Sequence, residues 1–352
     1  MKSSTKYIIE RILFIFLTAF IILSVTYILC QLLPIEIIGQ KPQELVAFWD
    51  KQCELGYYYH VDEAIARTNP GSYTQQVTLG SQTFYYAPYS VMHRYFVWLG
   101  NIFTKWDWGE STKVLVGHQA IDIIMEHLPY SMRLNIISIL ISVPAGIGLG
   151  VLAALKKNTW VDSVISTVIM VFISVPSFVM ISFLLIWFGY SSRILPTSWP
   201  TDAQAVADPV YAIKAYIIPV SALCFGSIAG FTRYTRAELT EVMSSEFLLL
   251  ARTKGLTKAQ SVVRHALRNS MVPIIPMIIG EFIGILSGSM VLEQLYGIPG
   301  VGYIFVTALN GKDWSVVMVD MAIYTLIGLA ATLIIDLSYG FVDPRIRMGA
   351  KK

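Results

Sequence analysis

Glu281, Asp320 and Asp336 are carboxylates set inside long apolar runs, and they are the residues of this chain best placed to do chemistry. A charge at the middle of a membrane helix costs about 2.5–3.5 kcal/mol on insertion scales, so such groups are functional candidates by default. Glu281 stands near the middle of its run. It faces either a water-filled path between helices, where hydration lowers that cost, or a neighbouring helix to which it hydrogen-bonds in protonated form. Asp320 and Asp336 stand near the ends of the last run, where interfacial water reaches them and solvation at a helix end accounts for both.

The motifs of covalent chemistry are missing. There is no G-x-x-x-x-G-K-[ST] loop to cradle nucleotide phosphates, no H-E-x-x-H and no G-x-S-x-G. The five histidines are scattered. Gly300-Val301-Gly302 lacks both the preceding strand and the third glycine of a dinucleotide turn. Cys30 and Cys224 fall in apolar runs and Cys53 in a polar segment, an odd set that gives neither a disulfide framework nor paired metal ligands. The chain therefore reads as a non-enzyme that holds no metal and no cofactor of its own.

The elements that position these residues are membrane helices. Of 352 residues 55% are hydrophobic and 14% charged, and mean hydropathy is +0.60. A soluble domain carries about a quarter charged residues, so lipid is the main solvent. A formal charge of +3 is too small to argue for nucleic acid. Ile12–Leu33 runs without a charge, is longer than a signal-peptide core and is followed by no A-x-A site, so it reads as a retained span. Five further runs can cross a core of about 30 Å: about 136–155, 164–188, 213–231, 272–292 and 316–339. Pro176 and Pro219 each interrupt one of them. The fold class expected is thus all-α, with six transmembrane helices. Residues 1–33 form the N-terminus and first helix, 34–130 a small extracytoplasmic domain, 131–347 a five-helix core with a loop at about 233–270, and 348–352 the tail.

Charge sets the orientation. Lys156 and Lys157 follow the second run. Arg233, Arg236, Arg252, Lys254, Lys258, Arg264 and Arg268 follow the fourth, and Arg345, Arg347, Lys351 and Lys352 end the chain. The opposite loops, about 189–212 and 293–315, hold only Arg193 and Lys312. An even number of spans puts both termini on the basic, cytoplasmic side. Segment 34–130 has local structure of its own. Pro42 to Leu55 reads as a helix closed by Gly56. Residues 73–79 and 82–86 flank Gly80-Ser81 at hairpin spacing. Val91, Tyr95, Trp98, Leu99 and Ile102 repeat at helical spacing. A lid-like domain is expected here.

The connection between the fourth and fifth runs is long for a compact bundle, and a long ordered loop usually has a function. It reads SSEFLLLARTKGLTKAQSVVRHALRNSMVPIIP over 244–276. Ala251 and Gly255 are small, four apart, and expected on one helical face where another surface can come close. Ordinary positive-inside charge on a surface helix is the alternative.

Several segments in order resemble one family. FTRYTRAEL (231–239), ARTKGL (251–256), RHALRN (264–269), VLEQLYGIPGVG (291–302) and VDPRIR (342–347) are similar to signatures of binding-protein-dependent ABC permeases of the dipeptide, oligopeptide and nickel subfamily. RYFVWLGNIFTKWDWGES (94–111) and EHLPYSMRL (126–134) extend the resemblance, which covers about 94–347. It implies the fold of a type I importer permease in a bacterial cytoplasmic membrane. Its expected partners are a homologous second permease, two ABC ATPase subunits carrying ATP and Mg, an extracytoplasmic solute-binding protein, a peptide substrate and membrane lipid. The implied ATPase-coupling helix is about Glu246–Leu256. Glu246, Phe247, Ala251, Arg252, Thr253, Lys254, Gly255 and Leu256 would form it, with Ala251 and Gly255 at the close contact. The broader family has Glu-Ala-Ala where Leu249-Leu250-Ala251 stands, and a common Pro where Arg268 stands. Asp336 matches a subfamily acidic position. Glu281 becomes a translocation-pathway candidate, and Gly297, Pro299, Gly300 and Gly302 an outer gate in a re-entrant turn. A nickel or metal-chelate importer shares these motifs. A non-transporting receptor would not need the coupling loop.

Overall fold

The structure is a computed structural model that describes residues 2–33, 41–253, 255–284 and 289–342. The expected tail and the end of VDPRIR lie outside the described residues. In chain order α1 spans Lys2–Gln31, α2 Pro42–Glu54, β1 Tyr58–Val61 and α3 Glu63–Thr68. Then come β2 Gln75–Leu79, β3 Gln82–Pro88, α4 Val91–Lys105, α5 Ala120–Leu155 and α6 Trp160–Ser174. Helix α7, Ser177–Leu184, widens into a π-helical segment that ends at Ser191. It is followed by α8 Asp202–Ala207, α9 Pro209–Lys214, α10 Ile217–Met243, α11 Glu246–Thr253 and α12 Lys258–Ser261. Beyond a second π-helical stretch, Val262–Ala266, lie α13 Leu267–Gly284, α14 Met290–Tyr296, α15 Val301–Gly311 and α16 Trp314–Val342.

Four helical stretches among the described residues are long and apolar enough to cross a membrane: Ile8–Gln31, Ala120–Leu155, Pro209–Met243 and Trp314–Ser338. A fifth is the pair Trp160–Ser174 and Ser177–Ser191, bent by 100°. The bend falls where Pro176 lacks an N–H and fixes φ, so the proline interrupts this run as expected. The run 213–231 is broken at residues 215–216, just before Pro219. Pro219 occupies the first turn of α10, where a missing N–H leaves no intrahelical bond unmade.

The chain divides into two compact units. One comprises 17–126 and 305–325. In it Pro42 opens α2 at its first helical position, and Gly56 follows the helix end with φ +81°, a left-handed conformation open to glycine. The hairpin forms as expected: Leu79 faces Gln82 across Gly80-Ser81, with Gly80 at φ +62°. The four-residue strand β1 pairs antiparallel with β3, giving the order β1-β3-β2, and was not anticipated. Trp49, Tyr58, Val77 and Tyr86 are buried between α2 and the sheet. The Tyr86 hydroxyl donates to Asp50 at 2.9 Å. Helix α4 buries Arg94, Tyr95, Trp98 and Ile102, close to the face that its apolar spacing predicts. Trp98 stacks on Tyr27 of α1 at 4.4 Å between centroids, and Tyr95 shares a 2.8 Å hydrogen bond with Ser24. In the same unit one Asp313 oxygen accepts from the Ser111 hydroxyl at 2.6 Å and from the amides of Thr112, Lys113 and Val114 at 2.9–3.1 Å. Asp320 is fully buried, so the solvated helix end expected for it is not what the structure shows.

The other unit comprises 1–16, 127–304 and 326–352. Its core joins Leu134 of α5, Ile181 of α7, Ile218, Val220 and Ala222 of α10, and Leu292 and Tyr296 of α14. Helices α5 and α10 meet at a G-x-x-x-G face. A Cβ on Gly146 would lie 2.6 Å from Phe231 Cβ, and one on Gly150 would lie 2.5 Å from Thr235 Cβ and 2.8 Å from the Thr232 carbonyl. Only glycine lets the backbones come this near, the usual device for helix pairs in lipid. Asp336 pairs with Arg11 at 3.0 Å, which gives that carboxylate a structural partner as well as a position near a helix end.

Candidate coupling segment and buried clamp

The candidate coupling segment is built on α11. Helix α10 stops at Met243, and α11 follows after Ser244 and Ser245. Leu248 is its anchor, 4% exposed and packed with Ala154 of α5, Leu239 of α10 and Ala266 of the second π-helical stretch. Leu249 and Leu250, next along the helix, point outward and are well exposed, as are Glu246 and Thr253. Thr257 then starts the next helix by a reciprocal cap: its amide donates to the Gln260 side chain at 3.1 Å, and its hydroxyl accepts from the Gln260 amide at 3.3 Å.

The helix is shorter than the sequence predicts. It ends at Thr253, and Gly255 lies beyond it with φ +92° and open space where a Cβ would be. Ala251 and Gly255 therefore do not share a helical face. Gly255 is needed for a left-handed turn rather than for close approach. Phe247, Ala251 and Arg252 lie on α11, and Leu256 is half-buried after the turn. Lys254 lies outside the described residues.

Asp162 and Arg236 brace the same side of this unit. The guanidinium donates from Nε at 2.5 Å and from its terminal nitrogen at 2.9 Å, and the amide of Asn158 adds a third donor at 3.0 Å. Asp162 is almost fully buried, so the two-point pairing supplies what water would otherwise give. Arg236 belongs to FTRYTRAEL, but no pairing could be read from that segment alone.

The proposed outer turn closes on a buried carboxylate. Glu293 of α14 is 1% exposed. Its Oε1 accepts from the Ser131 hydroxyl at 2.7 Å and the Ser289 amide at 3.2 Å, and its Oε2 accepts from the Tyr303 amide at 3.0 Å. Ser131 of α5 also accepts from the Val301 amide at 2.9 Å. The carboxylate thus sits at the first turn of α15, where unpaired amides and the helix dipole favour negative charge. Burial pushes the Glu293 carboxyl above the usual carboxylate range, while the donors on Ser131, Tyr303, Ser289 and Gly302 pull it back.

The glycines of this turn have separate reasons. Gly297 ends α14 in the left-handed region at φ +69°. Gly300 and Gly302 are needed for space: a Cβ would stand 2.5 Å from Glu293 Oε2 at the first and 2.8 Å from Met290 Cα at the second. Pro299, between Gly297 and Gly300, is half-buried. Glu293 stands in the quoted VLEQLYGIPGVG segment, yet no role was read for it. Its partners come from positions 131, 289 and 303, which no local spacing connects. Glu281 accepts a hydrogen bond from the hydroxyl of Ser227 on α10, so it is bonded between helices and half-buried. Helix α11 is seated on α5, α10 and the π-helical stretch that leads into α13.

Residues 146–348 match the family described as binding-protein-dependent transport system inner membrane component. The dipeptide transport system permease protein DppB of Lactococcus lactis subsp. cremoris is 30% identical over 97% of this chain and 99% of its own. The DppB of Bacillus subtilis is 28% identical over 98% and 99%. The oligopeptide transport system permease protein OppB of Haemophilus influenzae is 30% identical over 80% and 88%. Among solved structures, an inward-facing MetNI methionine ABC transporter covers 62% of this chain and 96% of its own, at 14% identity and a TM-score of 0.46. A likeness that loose bears on neither fold nor function. The family match and the kinship over nearly the full length make this chain a member of the binding-protein-dependent transport system inner membrane components, an integral membrane permease.

Proposed function

We propose that this chain is one permease subunit of an ATP-driven importer of dipeptides or oligopeptides in the bacterial cytoplasmic membrane. The observation that carries this reading is the near full-length kinship with permeases named for those substrates. The exposed Leu249 and Leu250 on a short helix seated on α5 and α10 support it, since they offer an apolar face to an ATPase subunit. On this reading the chain crosses six times, through α1, α5, α6 with α7, α10, α13 and α16. Both termini are cytoplasmic and 34–130 is extracytoplasmic. A second permease completes the pathway, two ATPase subunits hold ATP and Mg, and a solute-binding protein delivers cargo; the chain itself carries no cofactor. Glu281 borders the pathway through its bond to Ser227, and the turn from Gly297 to Gly302 forms part of the outer gate.

The test is uptake of labelled peptides, from dipeptide to octapeptide, and of a nickel chelate by cells with and without this chain. Peptide uptake lost on deletion supports the reading. Unchanged peptide uptake with loss of nickel overturns the cargo and leaves the coupling argument standing.

A further inference from the structure

Helix α4 is two-faced in an unusual sense. Its buried face, with Arg94, Tyr95, Trp98 and Ile102, is packed, and its outward face is apolar as well. Met92, Phe96 and Phe103 fall within one narrow stripe at helical spacing and are 53%, 66% and 77% exposed. Trp106, which ends the helix in the left-handed region, is 65% exposed. Four large apolar side chains on one surface need an occupant.

The contacts of the buried face give the depth at which this surface lies. Tyr95 bonds Ser24, Trp98 stacks on Tyr27, the Tyr27 hydroxyl donates to the Arg94 carbonyl at 3.1 Å, and the Arg94 guanidinium donates to Gln31. All three partners, Ser24, Tyr27 and Gln31, lie on the last two turns of the span Ile8–Gln31. With a rise of about 1.5 Å per residue, Ser24 and Tyr27 stand about 6–10 Å short of the end of that span. An amphipathic helix lying in a membrane interface buries its apolar face by about 5–10 Å, so the two depths coincide. On α1, the helix against which α4 packs, the apolar side chains of Phe20, Val25 and Leu29 are exposed as well, as expected of a span that meets lipid. Lys105 and Trp106 at the end of α4 are residue types that settle at the headgroup level.

We infer that α4 is an interfacial helix whose Met92–Phe96–Phe103 stripe, with Trp106, is embedded in the lipid leaflet reached by the C-terminal end of α1. The unit that carries the β1-β3-β2 sheet is therefore held down on the bilayer and does not swing as a free lid. This rests on α1 being a span and not on the nature of the cargo.

The test uses the native full-length chain, alone and in its assembled complex, in nanodiscs of phosphatidylethanolamine and phosphatidylglycerol. The lipid includes a phosphatidylcholine with a diazirine on its acyl chain, and adducts are mapped by mass spectrometry. The expected yield on Met92, Phe96 and Phe103 is within about threefold of that on Phe20 and Val25, and at least about tenfold above that on the hairpin 75–88. A yield at the hairpin level while α1 labels strongly overturns the inference. Labelling in the isolated chain that disappears in the complex overturns it too, by assigning the stripe to a protein partner. Failure of α1 itself to label removes the span and the inference with it.

Discussion

Replacing Ser131 by alanine tests the clamp with little change of volume. The hydroxyl has two duties: it donates to Glu293 Oε1 and accepts from the Val301 amide, and it is fully buried. Its loss leaves the Val301 N–H without a partner and removes one of the donors that hold the carboxylate. A buried donor left unsatisfied costs about 1–3 kcal/mol, and a hydrogen bond to a charged group contributes about 1.5–3. The two share one atom and do not add fully, so about 2–4 kcal/mol is expected. That cost falls on local opening of the turn, and the readout is amide hydrogen exchange across residues 297–304 in the solubilised chain. At 1.4 kcal/mol per tenfold, exchange there should quicken by about 30- to 700-fold. Ser142→Ala is the control. Ser142 is also buried on α5, but its hydroxyl makes no hydrogen bond among the described residues, so its loss should leave exchange unchanged. Less than about a threefold change in Ser131→Ala, or an equal change in both variants, would refute the clamp.

Gly150→Leu should prevent α5 from meeting α10, because even a Cβ overlaps Thr235 and the Thr232 carbonyl; the measurement is the yield of monodisperse protein, with Gly148→Leu, where a Cβ meets open space, as the tolerated control. Asp162→Ala strands a guanidinium and should cost about 3 kcal/mol, read as a lower midpoint of thermal aggregation, whereas the apolar double variant Asp162→Ala with Arg236→Met recovers much of it. Gly255→Val meets no neighbour but strains a left-handed turn, so the isolated chain should keep its stability while peptide-stimulated ATP hydrolysis in the assembled transporter falls at least about threefold; unchanged stimulation would count against α11 as the coupling element. Glu281→Gln keeps the acceptor for Ser227 and removes the charge, so transport that stays the same at every pH would exclude a role for that charge.

Features that depend on neighbours in the chain were legible in advance. The hairpin around Gly80-Ser81, the start of α2 at Pro42 and the buried stripe of α4 all follow from local spacing. Membrane residence followed from apolar length alone. What could not be read depends on partners far along the chain. Nothing near Glu293 in the sequence marks its bond to Ser131, which is distant along the chain. Asp162 and Arg236 carried no mark of their pairing. Strand β1 is four residues long and aromatic, and only pairing with β3 makes it a strand. The expected coupling helix runs three residues past the observed end at Thr253, because the spacing weighs Gly255 for small size and not for the left-handed backbone angle found there. The G-x-x-x-G face at Gly146 and Gly150 was visible as a motif and went unread.

The single carboxylate of Asp313 gathers four donors from residues 111–114, which lie about two hundred positions earlier in the chain. During synthesis those donors have no acceptor to close on until nearly the whole chain has been made. At about 5–20 residues per second the wait is about 10–40 s. Local bonds, from the Leu115 amide to the Ser111 hydroxyl and from the Ser111 amide to the His118 carbonyl, can form early, but the closing of residues 111–114 on a carboxylate waits for Asp313. One aspartate thus ties an early loop to a residue made some two hundred positions later.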